Sequence, residues 1–96
     1  MYIVSLNYIK PLEEVNRYLP EHLEFLNKYY ESGDFILSGR KEPRTGGVIL
    51  AKTQGLKDLE QILNLDPFYR EGVAEYDIVE MVPSKSSPEL SSLVEV

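Results

Sequence analysis

Apolar residues in this chain alternate between a spacing of two and one of about 3.6, and that switching constrains the fold more than any single motif. From Tyr2 to Ile9, β-branched and aromatic residues dominate, with Tyr2, Val4, Leu6 and Tyr8 on one face of a strand that Lys10-Pro11 ends. From Leu12 to Glu31 the spacing turns helical: Leu19, Leu23, Leu26 and Tyr30 form a stripe, and Glu21, Glu24, Asn27, Lys28 and Glu31 face away. Proline is disfavoured inside a helix, so Pro20 predicts a short turn over 12–18 and a main helix with Pro20 in its first turn, stopped by Gly33. Asp34 to Arg40 and Thr45 to Thr53 read as strands joined through the turn residues Lys41-Glu42-Pro43-Arg44. Leu56, Leu59, Ile62 and Leu63 mark a second helix after Gly55, closed by Asn64-Leu65-Asp66-Pro67, and residues 74–82 form a last strand that Pro83 stops. The order is βαββαβ, which predicts an α+β, ferredoxin-like fold with a four-stranded antiparallel sheet.

Ninety-six residues suit one core, so residues 1–83 are expected to form a single domain and 84–96 a serine-rich tail. Ser87-Pro88-Glu89 followed by Leu90, Leu93 and Val94 has the start signals of a short terminal helix. Both faces of the sheet are apolar: Ile3 and Ile9 oppose Tyr2, Val4 and Leu6, and Val48 and Leu50 oppose Ile49 and Ala51. Helices on one side leave the other in need of cover. A second copy of the same sheet in a two-fold dimer is the simplest cover, and the tail folding across the open face is the alternative.

Ten Lys and Arg against sixteen Asp and Glu give a net charge of −6, which argues against nucleic acid and anionic membrane surfaces as partners. The absence of cysteine removes disulfides, thiolate nucleophiles and cysteine-ligated metals. Met1-Tyr2-Ile3-Val4 lacks the basic and long apolar regions of a secretory signal, and no apolar run approaches the roughly 20 residues of a membrane span, so a cytoplasmic location is expected.

His22 is the only histidine. Counted from Leu19 in helical steps, it lies about 60° from the centre of the leucine stripe, at the border of the buried face and in the first turn of the expected main helix. Partial burial and the positive helix end both favour neutral imidazole, the form a general base needs, but from position alone a boundary histidine with a local hydrogen bond is the favoured reading. Asp66-Pro67-Phe68 also admits two readings. Aspartate caps a helical turn whose first residue is proline, or Asp66 orients His22 and supports its imidazolium. Ser38, Gly39, Arg40, Lys41 and Arg44, followed by Thr45-Gly46-Gly47, combine hydroxyls, glycines and cations that suit an anionic ligand or a solvated hairpin, without the spacing of a phosphate loop. Tyr8, Tyr18, Tyr29, Tyr30, Tyr69 and Tyr76 invite a pocket for a planar substrate, but at these spacings most are better explained as core or dimer-interface residues with outward hydroxyls, and one histidine among scattered carboxylates offers no metal-ligand spacing.

Taken in order, Pro20-Glu21-His22-Leu23-Glu24-Phe25-Leu26, Gly33, Leu37-Ser38-Gly39, Gly46-Gly47-Val48-Ile49 and Asp66-Pro67-Phe68 resemble the YciI-like, or YCII-related, family over roughly residues 2–82. The resemblance implies a dimeric α+β barrel and a cleft in which His22 and Asp66 pair near Ser38 and Gly39. It also implies chemistry related to dehydrochlorination for some branches, one of which acts on chlorinated hydroxyquinols. Arg40 stands where relatives often carry proline after the glycine.

The expected protein is therefore a small homodimeric enzyme without a cofactor or metal, of lyase or isomerase type, acting on a small aromatic or carboxylated molecule. His22 and Asp66 are the expected catalytic pair, and Ser38, Gly39, Arg40, Arg44 and Phe68 the expected substrate contacts. A noncatalytic ligand-binding or interaction module using the same cleft is the alternative, and an adaptor that binds partners through its acidic helix face or tail is a third.

Overall fold

A computed structural model describes residues 1–96. Its elements are β1 (Tyr2–Tyr8), α1 (Leu12–Glu31), β2 (Phe35–Arg40), β3 (Gly46–Ala51), α2 (Leu56–Leu63), α3 (Pro67–Arg70) and β4 (Ala74–Glu80), followed by 3₁₀ turns at Pro88–Leu93. The sheet runs β2-β3-β1-β4 and is antiparallel throughout. This is the ferredoxin-like α+β arrangement, with β1 in the interior because each helix carries the chain over the sheet to a non-adjacent or opposite-edge strand.

Period-2 alternation sends Tyr2, Val4 and Leu6 of β1 and Ile49 and Ala51 of β3 toward the helices, where all are buried. They meet Val15, Phe25, Leu26 and Tyr29 of α1, Leu59 and Leu63 of α2, and Phe68 of α3 in one core. Gly46 is required at the start of β3: a Cβ there would lie 1.8 Å from the Leu6 carbonyl oxygen. Gly33, at φ +84°, turns the chain out of α1 in the left-handed region.

Two expectations about α1 are corrected. The helix runs unbroken from Leu12 with Pro20 inside it, so His22 sits in its middle and gains nothing from a helix end. An interior proline costs about 3 kcal/mol or more. Here Pro20 and Asn16, whose carbonyl loses its donor, both face solvent. Val15 on one side of Pro20 and His22, Phe25, Leu26 and Tyr29 on the other lie along the same buried stripe, so core packing carries the helical phase through the proline. That stripe is also rotated from the one the leucines predict. Leu23 is 49% exposed, and the phase follows Phe25 and Tyr29, whose rings lie 5.7 and 5.5 Å from that of Phe35.

The second sheet face carries an apolar row across all four strands, because the register aligns Leu37 with Leu50, Leu50 with Ile3, and Ile3 with Val79. Its ends, Leu37 and Val79, are 61% and 59% exposed. The tail leaves both ends of this row open. It turns back on Pro83, whose carbonyl accepts from the backbone N–H of Glu95 and Val96, and the Glu95 carboxylate meets the Met1 ammonium at 3.2 Å.

Candidate functional site

Asp66 is fully buried and placed twice over by local structure. It ends the loop after α2 and is the N-cap of α3, with Pro67 at the first helical position. Its Oδ1 accepts from the Phe68 backbone N–H at 3.0 Å and meets His22 Nδ1 at 2.8 Å, while Oδ2 accepts from the Tyr76 hydroxyl at 2.5 Å. The cap and the histidine partner, two readings of one residue in the sequence, are both present.

A carboxylate with three donors acts as acceptor only, which puts the proton of neutral His22 on Nδ1 and leaves Nε2 with its lone pair free. Phe68 fixes the imidazole plane from one side, its ring 4.0 Å away and within 6° of parallel. The edge of Tyr8 abuts Phe68 in turn, at 6.0 Å and 89°. His22 is only 8% exposed, yet Nε2 has no protein partner and is not sealed off, since no buried side-chain nitrogen or oxygen lacks a hydrogen bond.

His22 lines a cavity of about 480 Å³ between α1 and the β2–β3 end of the sheet. Ser38, Gly39, Arg40, Arg44 and Phe68 line it too, so the structure gathers these five residues around His22, with Asp66 behind the imidazole. Leu19 and Leu23, which the leucine stripe assigns to the core, form part of its wall. Ser38 Oγ is hydrogen-bonded to the Tyr30 hydroxyl. Arg44 reaches from the hairpin to α1, where its Nη2 donates to Asn16 Oδ1 at 2.7 Å. Neither Arg40 nor Arg44 pairs with a carboxylate, and no aspartate or glutamate lines the cavity of a chain that carries sixteen of them. Beside the site, Arg70 of α3 grips Glu21 of α1 through two hydrogen bonds of 2.8 and 3.0 Å. These hold the Glu21 carboxyl below its ordinary range. No three His, Asp or Glu side chains converge as a metal-holding group, and no helix is long and apolar enough to cross a membrane.

Sequence reasoning missed the tyrosines. Tyr76 and Tyr30 turn their hydroxyls inward, onto Asp66 and Ser38, rather than outward. Strand parity was the available signal for Tyr76: in β4 it shares a face with the buried Ala74, and it is paired with Leu6, a residue of the cavity wall. Burial first, then the charge of Asp66 and the bond to it, push the Tyr76 hydroxyl far above its ordinary range, so it remains a donor.

The profile of the YCII-related domain matches residues 1–82. The chain belongs to the YCII-related family. No curated protein matches it by sequence. Among solved structures, this YCII-related chain is similar to 5-chloro-2-hydroxyhydroquinone dehydrochlorinase (TftG) from Burkholderia phenoliruptrix AC1100, determined in complex with 2,5-dihydroxybenzoquinone. The TM-score is 0.72 at 14% identity, covering 86% of this chain and 95% of that one. At that identity the likeness is one of fold.

Proposed function

We propose that this YCII-related protein is a cytoplasmic, homodimeric, cofactor-independent enzyme of lyase or isomerase type that moves a proton on a small aromatic or carboxylated molecule. The observation that carries this reading is the 2.8 Å contact of His22 Nδ1 with Asp66, which leaves Nε2 unpartnered at a cavity wall. Nε2 takes a proton from the substrate, Asp66 stabilises the imidazolium that forms, and the same nitrogen returns the proton at another atom or to a leaving group. Such a base contributes about 10²–10⁴-fold to the rate.

The cavity volume falls in the usual range of small-ligand sites, roughly 300–1,000 Å³. Two guanidinium groups with no facing carboxylate favour an anionic ligand, and Gly39 and Ser38 offer close backbone approach and a hydroxyl to a substrate oxygen. Phe68 backs the imidazole and shapes the apolar side. The Leu37–Leu50–Ile3–Val79 row, exposed at both ends and half-buried between, supplies the face that a second copy covers in the dimer.

The test is turnover of a panel of small hydroxylated aromatics and carboxylates, beginning with 5-chloro-2-hydroxyhydroquinone, by wild type and His22→Ala. Consumption that falls at least 100-fold in the variant, with the fold intact, is the expected result. Saturable binding without consumption of any ligand in wild type assigns the cleft to a binding module, and undiminished turnover in His22→Ala removes His22 from the chemistry.

A further inference from the structure

We infer that Tyr76 is a positioning residue for His22 that acts through Asp66, holding the carboxylate in place and moderating its pull on the imidazole proton. The inference rests on the proposed acid-base reading and assigns a role in it to a third side chain, which comes from a separate element of the fold.

His22 is on α1, Asp66 precedes α3, and Tyr76 lies in the first half of β4. The three meet in a line: Tyr76 hydroxyl to Asp66 Oδ2 at 2.5 Å, then Asp66 Oδ1 to His22 Nδ1 at 2.8 Å. The Phe68 N–H shares Oδ1 at 3.0 Å. With one oxygen tied to the α3 backbone and the other to β4, the carboxylate has no free rotation about its last bond, so Oδ1 stays aimed at Nδ1. Nε2 then keeps its direction into the cavity.

The second effect is electronic. A carboxylate shares its negative charge among its donors, and a hydrogen bond from a phenol is charge-assisted. What Tyr76 withdraws at Oδ2 is no longer available to stabilise imidazolium at Oδ1. An isolated buried Asp–His pair favours imidazolium, a species that cannot accept a proton. By taking part of the charge, Tyr76 moves His22 toward the neutral base. Tyr76 itself does not enter proton transfer, because burial and the adjacent carboxylate hold its own proton throughout the neutral range.

On α1, Glu21 is committed to Arg70 of α3. Arg40 and Arg44 lie on the sheet and hairpin side of the cavity, while the Tyr8 ring of β1 abuts Phe68 and the Tyr69 ring of α3 packs edge-on against Tyr76. No second carboxylate lines the cavity to compensate.

With a single histidine, the imidazole Cε1–H signal gives an unambiguous NMR titration. Tyr76→Phe is expected to raise the His22 midpoint. Replacing Tyr76 with 3-fluorotyrosine, a more acidic phenol and stronger donor of nearly the same shape, is expected to lower it. The fluorinated protein provides the test if Tyr76→Phe folds poorly. Asp66→Asn, which removes the charge, is expected to lower the midpoint further. A midpoint unmoved by both Tyr76 changes but shifted by Asp66→Asn overturns the role of Tyr76 and leaves the His22–Asp66 pair standing. A midpoint unmoved by all three overturns the pair, and the inference with it.

Discussion

Replacing Asp66 separates its structural work from its chemical work. The side chain is 0% exposed, so its bonds are not weakened by solvent screening, and Asp66→Ala removes all three at once. Loss of the α3 cap costs about 1 kcal/mol. The hydroxyl of the half-buried Tyr76 is left without its acceptor, at about 1–3 kcal/mol. His22 recovers part of its loss by moving its proton to Nε2, where the cavity supplies water. Together these come to about 3–5 kcal/mol, which in a domain of this size lowers Tm by roughly 15–30 °C. Asp66→Asn still offers an oxygen to the Phe68 N–H and can turn its amide toward the Tyr76 oxygen, so its cost is about 1–2 kcal/mol, or roughly 5–15 °C. Thermal and urea unfolding followed by circular dichroism measure both. A double-mutant cycle sharpens the test: Tyr76→Phe destabilises wild type but is neutral or stabilising once Asp66→Ala has orphaned the hydroxyl. An Asp66→Ala protein within about 1 kcal/mol of wild type, or strictly additive costs for the two substitutions, refutes the reasoning.

Two further outcomes follow from the same geometry. Glu21 has its carboxyl held low by Arg70, so its contribution is fully present above the unfolded value near 4.5 and is lost as pH falls through the folded one. Wild type should therefore lose more stability than Glu21→Gln between pH 6 and pH 3, and parallel unfolding curves across that range rule the contribution out. Charge placed in the middle of the exposed sheet row, as in Leu50→Glu, should convert a wild-type dimer to a monomer in sedimentation velocity, whereas wild type sedimenting as a monomer at 100 µM contradicts the dimer.

The strands and the hairpin were legible because alternation and turn chemistry are local properties of a few residues. Both errors in α1 arose where local preference was overruled by packing. Pro20 reads as a helix start only when the burial of Val15 behind it is unknown. The leucine stripe misplaced the buried face because Phe25 and Tyr29, packed on Phe35 from a distant strand, decide the rotation. That rotation matters for the site. It moves His22 from the margin of the buried stripe into it and releases Leu19 and Leu23 to the cavity wall. The composition of the site was visible in outline from the order of the motifs. The hydroxyls behind it were not, since nothing within β4 or α1 indicates which carboxylate or serine a tyrosine will meet across the core.

One oxygen of Asp66 both caps α3 and meets His22 Nδ1, so a single atom joins the local start of a helix to a residue 44 positions away. His22 supplies one of the three donors on that buried carboxylate, and its ring is held flat against Phe68. The start of α3 and the orientation of the one imidazole at the cavity therefore cannot be varied independently: a change at Asp66 is felt by both.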